Sequence, residues 1–160
     1  MYNTYMLKNK FLSFFLFFFI TFSASFVGRL ATISSKEPWY SQLIKSNYNP
    51  PDWIFAPIWL TLYLMMTIAI WLFWHSKKRD MNTIYIYFIH IVFNTTWSIV
   101  FFGLHQIFLA LVALIVLIFL IIILIQRFKR VNLLSYYLMI PYLLWTVYAL
   151  FLNFNLMVLN

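Results

Sequence analysis

Five long apolar runs, covering 11–33, 54–74, 84–102, 107–125 and 133–152, set the limits on what this chain can fold into. A membrane-spanning helix needs about 20 consecutive, mostly apolar residues, and each run meets that length. Together they occupy most of the 160 residues and leave no room for a separate soluble domain. Leucine, isoleucine and phenylalanine dominate the runs without strand-like alternation or evenly spaced ten-residue units, which argues against a β-barrel. The link Gly103–Gln106 is so short that the third and fourth spans must form an antiparallel pair. Composition agrees: the chain is 65% apolar and only 9% charged. A small soluble domain cannot hide that much apolar surface, and a disordered chain would be apolar-poor. The expected fold is an all-α integral membrane protein, a single five-helix transmembrane domain over 1–160 with a long lid-like loop between helices 1 and 2.

The first run also resembles a secretory signal, with Lys8 and Lys10 ahead of a Phe-rich stretch and Ser23-Ala24-Ser25 as a cleavage pattern. The apolar run continues past that point to Ile33, which favours a retained helix. Eight basic residues (Lys8, Lys10, Lys77, Lys78, Arg79, Arg127, Lys129 and Arg130) fall on one side of the spans. Arg29, Lys36 and Lys45 fall on the other. The bias predicts a cytoplasmic N-terminus, with the long first loop and the C-terminus outside. The net charge of +8 does not indicate nucleic acid, because the basic residues sit in short clusters between apolar runs and not on one solvent-facing patch. With no cysteine there is no disulfide, thiolate nucleophile or Cys-based metal site, and no metal site is expected. An odd helix number without internal repeats argues against the paired repeats of many transporters.

Seven tryptophans must be sorted before any is read as functional, since Trp gathers at membrane interfaces. Trp53 opens the second span and Trp71 and Trp74 close it, as expected of interface anchors. Trp59, Trp97 and Trp145 lie inside spans. At helical spacing, Phe55, Trp59, Tyr63 and Met66 share one face, and so do His90, Asn94, Trp97 and Phe101. Tyr142, Trp145, Ala149 and Asn153 form a third such face. Polar groups are costly against lipid, so these faces should turn inward. The predicted orientation brings them together in the outer half of the bundle, beneath the first loop. The alternative is a packed aromatic core in which amides hold helices together. That alternative is the expected role for Ser13, Thr21, Ser23 and Ser25. His90 reads as an interhelical hydrogen bond beneath Asn94 or, alternatively, as a haem ligand. Asn94-Thr95-Thr96 matches a glycosylation sequon but lies within a span.

Residues 34–53 read SSKEPWYSQLIKSNYNPPDW. Pro50 and Pro51 fix an extended approach to span two, and Pro57 falls in its first turn, where a missing donor costs little. A loop carrying Trp39, Tyr40 and Tyr48 should fold back onto apolar surface as a lid, with Lys36 and Lys45 as a positive rim for carboxylates. The alternative is a solvated connector.

Three stretches then carry a resemblance: Trp39-Tyr40 with Asn49-Pro50-Pro51-Asp52-Trp53-Ile54-Phe55-Ala56-Pro57-Ile58-Trp59, then Asn94-Thr95-Thr96-Trp97-Ser98, then Pro141-Tyr142-Leu143-Leu144-Trp145 with Ala149 and Asn153. In this order and spacing the chain resembles the tryptophan-rich sensory protein / translocator protein family (TspO/MBR, the peripheral-type benzodiazepine receptor). The resemblance implies a five-helix bundle, usually a homodimer, that binds porphyrins such as protoporphyrin IX or haem, and benzodiazepine-type ligands. It implies ligand contacts at Trp39, Tyr40, Trp59, Asn94, Trp97, Trp145 and Ala149, to which the inward stripes add Tyr63 and Phe101. In some bacterial members porphyrin breakdown in light is attributed to two tryptophans matching Trp59 and Trp145. Departures from the family pattern include Ser46 in place of a proline, Tyr48 in place of a tryptophan, His90 in place of a glutamine and Thr67 in place of a glycine.

The expected function is a membrane receptor or sensor for tetrapyrroles that needs no cofactor and works in a bacterial inner membrane, with movement of the ligand across or along the membrane as an added role. The alternative is a light- and oxygen-dependent porphyrin-degrading enzyme with Trp59 and Trp145 as its reactive residues. The three acidic residues Glu37, Asp52 and Asp80 all lie in or near loops, so only aromatic redox chemistry is open to it.

Overall fold

A computed structural model describes residues 9–160, apart from the side chains of 34–37. Five helices appear: α1 (Lys10–Ser35), α2 (Phe55–Trp74), α3 (Met81–Ser98), α4 (Ile107–Val131) and α5 (Leu133–Leu159). There is no strand among the described residues. A π-helical turn, Lys36–Tyr40, extends α1, and a second, Ile99–Gly103, extends α3; a short 3-10 turn, Asp52–Ile54, leads into α2. Lys8 and the side chain of Lys36 lie outside the described residues.

Side-chain caps set the helix starts at one end of the bundle. Asn9 Oδ1 accepts from Phe11 N (2.9 Å) at the head of α1. Asp80 takes the Thr83 backbone N–H and hydroxyl on its two oxygens, both at 2.8 Å, at the head of α3. Asn132 is the single residue joining α4 to α5, and its Oδ1 accepts from Ser135 N (3.0 Å). Each cap satisfies backbone donors that the first helical turn leaves open. These tight turns put Lys10, Lys77–Arg79 and Arg127–Arg130 at one end, the basic end. The long first loop lies at the other, the loop end.

In cross-section the helices form a ring in the order α1, α2, α5, α4, α3, with α3 closing on α1. Met66, Ala69, Ile70 and Phe73 of α2 and Leu114, Leu117, Ile121 and Leu124 of α4 fill its centre and are fully buried. The outward faces are equally apolar: Phe11, Phe15, Phe19 and Phe26 recur along α1 as exposed rings. Between 28 and 33% of each span's most apolar stretch is buried inside the chain. Exposed apolar surface on this scale requires a bilayer as solvent. This is an integral membrane protein.

Two expectations change. Trp53 is 72% exposed, as an interface anchor should be, but Trp74 is buried. Phe17 packs its edge against Trp74 (5.9 Å), and Arg79 lies over the ring (4.3 Å) while donating to the Trp74 carbonyl. Of the four span-one hydroxyls expected to join helices, Ser13 bonds His75 Nε2 (2.7 Å) and Thr21 bonds the Tyr87 hydroxyl (2.7 Å). Ser23 instead is exposed and donates to Ile20 O of its own helix. Helix α1 runs unbroken through Ser23-Ala24-Ser25.

Candidate functional site

The cavity forms because α1 changes neighbours along its length. Near the basic end it lies against α2, with Phe14 on Trp71 (5.8 Å), Phe17 on Trp74 and Phe22 on Tyr63 (5.9 Å). Farther along it leans onto α3. At Gly28 a Cβ would sit 3.0 Å from Ser98 Oγ, so glycine permits the approach. The space left between this half of α1 and α2, α3 and α5 is a cavity of about 590 Å³.

Its walls contain Trp59 and Tyr63 from α2, Trp97 and Phe101 from α3 and its extension, and Trp145 and Ala149 from α5; Tyr40 of the first loop joins them. Trp59 and Trp97 stack at 6.1 Å and 27°, and Trp97 and Phe101 at 6.0 Å and 26°, so one wall is a tier of nearly parallel rings. Trp97 Nε1 is tied to Asn153 Oδ1 (3.3 Å), whose amide nitrogen donates to Ile107 O. Trp145 is different. Its Nε1 is buried and is the side-chain polar atom that lacks a partner among the described residues. A buried N–H without an acceptor costs about 1–3 kcal/mol.

Two of the nine expected ligand-binding residues stand behind the wall. Asn94 is buried below Tyr63 with its amide fully used: Oδ1 accepts from the Tyr63 hydroxyl and Nδ2 donates to the Tyr142 hydroxyl (3.0 Å). Tyr142 in turn meets His90 Nε2 (3.1 Å), and His90 Nδ1 meets the Tyr87 carbonyl (3.1 Å). His90 thus bridges α3 to α5 with both ring nitrogens engaged. Trp39 lies flat on His105 (4.3 Å, 12°) with its edge to Phe101 (5.4 Å), so it supports the wall from outside. His105 occupies the link to α4 at φ 56°, a strained angle for a non-glycine residue.

The first loop folds onto the bundle. Ile44 and Asn160 exchange two hydrogen bonds, Ile44 N to Asn160 Oδ1 (2.9 Å) and Asn160 Nδ2 to Ile44 O (3.1 Å). The Tyr148 hydroxyl donates to Tyr48 O (2.7 Å). Lys45, expected on a carboxylate-binding rim, rests its ammonium 4.2 Å from the centre of the Tyr40 ring. Among the described residues, the cation that borders the cavity is Arg29 of α1, flanked by Ser25 and Thr32. Sequence reasoning did not select Arg29 for the site. Its signal was the spacing of Ser25, Arg29 and Thr32, which places them on one face of α1.

Ring order, apolar exterior and an aromatic cavity beneath a pinned loop define a five-helix integral membrane protein. The sequence matches the TspO/MBR family over residues 15–159. It is similar to the tryptophan-rich protein TspO of Chlorobaculum tepidum, 31% identical over 146 residues, covering 86% of this chain and 89% of the relative. It is also similar to the tryptophan-rich sensory protein of Cereibacter sphaeroides (31%, 89% of this chain and 90% of the relative). The human translocator protein is 29% identical over 81% of this chain and 79% of its own. The chain belongs to the TspO/MBR family.

Proposed function

We propose that the protein is a receptor or sensor that binds a tetrapyrrole, such as protoporphyrin IX or haem, in the cavity at the loop end. The observation that carries this reading is the tier Trp59–Trp97–Phe101 facing a space of about 590 Å³. That volume lies within the range of about 300–1,000 Å³ usual for small-molecule sites. Nearly parallel rings suit offset stacking on a flat macrocycle. Arg29 would meet a carboxylate where α1 borders the cavity. Benzodiazepine-type hydrophobic ligands fit the same apolar walls. The closed network of Tyr63, Asn94, Tyr142 and His90 beneath the cavity favours binding over passage toward the basic end. By the charge bias, the loop end faces outward; a bacterial inner membrane fits the basic, Phe- and Ile-rich composition, and pairing as a homodimer follows the family resemblance. Titration of the purified protein with protoporphyrin IX should give saturable quenching of tryptophan fluorescence, weakened in Trp59→Ala and in Trp145→Ala. Quenching that is absent, or indifferent to both substitutions, would refute the reading.

A second reading, photo-oxidative breakdown of the bound porphyrin, is favoured by one placement: Trp59 and Trp145 both border the same cavity. Illumination of the aerated complex should produce a new absorbing product, reduced in Trp59→Phe. No spectral change on illumination would rule this out.

A further inference from the structure

Beneath the cavity, burial and valence together fix the directions of the hydrogen bonds around Tyr142. Full burial disfavours a charged imidazole, and in the neutral ring the Tyr87 carbonyl, which can only accept, places the proton on His90 Nδ1 (3.1 Å) and leaves Nε2 an unprotonated base. The Asn94 amide nitrogen can only donate, so the Tyr142 oxygen accepts from it. The Tyr142 proton therefore points at His90 Nε2, 3.1 Å away. A phenol bonded to a neutral imidazole can lose an electron and a proton together, which a phenol bonded to an amide or carbonyl oxygen cannot do easily. Both residues are fully buried. The Tyr142 ring lies 6.3 Å from Trp59, which borders the cavity. Tyr63 is nearer to Trp59, at 5.6 Å, but its hydroxyl donates to the Asn94 amide oxygen, which is too weak a base to take a proton. Hydrogen bonding selects the farther tyrosine.

We propose that Tyr142 and His90 form a proton-coupled electron donor that re-reduces Trp59 after its oxidation. The inference rests on the photo-oxidative reading. Trp59 loses one electron to the light-excited macrocycle and becomes an indolyl radical cation; dioxygen takes that electron from the reduced macrocycle and becomes superoxide. Tyr142 then supplies one electron to Trp59. Its O–H bond breaks, and the proton moves to His90 Nε2 along the existing hydrogen bond. The products are neutral Trp59, a neutral Tyr142 phenoxyl radical and a His90 imidazolium, so one electron and one proton have left the phenol. The oxidising equivalent moves out of the ligand cavity into a closed polar cluster, and the stacking tryptophan survives the event.

The test follows radicals in time, in two arms. In the first, a laser flash excites the protoporphyrin IX complex in aerated micelles. In the second, azide radicals made by pulse radiolysis oxidise tryptophans of the ligand-free protein, and Trp59→Phe isolates the Trp59 contribution. Wild type should show decay of the indolyl radical matched by growth of a phenoxyl band, slower in heavy water. Tyr142→Phe should remove that growth. His90→Gln keeps an acceptor for the Tyr142 hydroxyl but no base, and should slow the transfer by about 10²-fold or more. Circular dichroism checks that each variant is folded; a role in packing alone would leave radical kinetics unchanged. Unaltered phenoxyl growth in folded Tyr142→Phe or His90→Gln overturns the proposal. Transfer in the ligand-free arm without porphyrin quenching would refute the binding reading and its light-driven first step, and leave standing only the transfer from Tyr142 and His90 to oxidised Trp59. A bound porphyrin without Tyr142-dependent transfer in either arm would do the reverse.

Discussion

Trp145 and His75 show how single side chains carry function and stability at opposite ends of the bundle. Trp145 borders the cavity, and its buried indole N–H has no partner among the described residues. Trp145→Phe keeps an aromatic ring there but makes it smaller and removes the N–H. It should weaken protoporphyrin IX binding by about three- to tenfold in a quenching titration through the lost ring contact. His75 sits just beyond α2, bonded to Ser13 and in contact with the Trp71 ring. Partial burial, followed by the nearby Lys10 and Arg79 charges, holds its pKa below the ordinary histidine value. The folded state therefore resists protonation more than the unfolded state does. This contribution to stability is complete above about pH 6.5 and is lost as pH falls from there toward the lower folded value. Thermal unfolding in detergent should fall more steeply on acidification in wild type than in His75→Gln. Parallel curves for the two proteins would show that His75 does not contribute.

At the scale of elements, the lean of α1 onto α3 and the pinning of the first loop create the site. Gly28→Leu would drive a side chain into Ser98 and should destabilise the fold by about 1–3 kcal/mol, with partial recovery on adding Ser98→Gly. Chemical denaturation of wild type and the two variants measures this. Asn160→Ala breaks both bonds to Ile44, an effect of about 1 kcal/mol on a surface loop. The loop over 41–49 should then be cut faster by added protease, while the spans stay protected. These elements also divide what the sequence disclosed from what it withheld. Span number and the tight Gly103–Gln106 turn follow from run length, and the inward faces of Trp59, Trp97 and Trp145 follow from helical period. Neither depends on distant partners. The places of Arg29 and Asn94 do. Arg29 borders the cavity only because Gly28 lets α1 tilt, and Asn94 is sealed off because Tyr63 of α2 and Tyr142 of α5 both reach its amide. Trp74 likewise left the expected interface belt because Arg79 folds back over it.

Across the whole molecule, the tryptophans divide by the work they do. Trp53 faces outward, Trp71 and Trp74 knit α1 to α2 at the basic end, Trp39 braces the loop end, and three tryptophans wall the cavity. This division puts the aromatic cavity at one end of a ring whose other end is closed by caps and charge. The indole N–H region of a nitrogen-15 spectrum, with a resonance for each of the seven tryptophans, reads the division directly. On addition of protoporphyrin IX, the account predicts that Trp59, Trp97 and Trp145 shift as the macrocycle stacks beside their rings, while Trp53, Trp71 and Trp74 stay in place. Shifts confined to Trp53, Trp71 and Trp74, or a saturated complex in which Trp145 does not move, would contradict it.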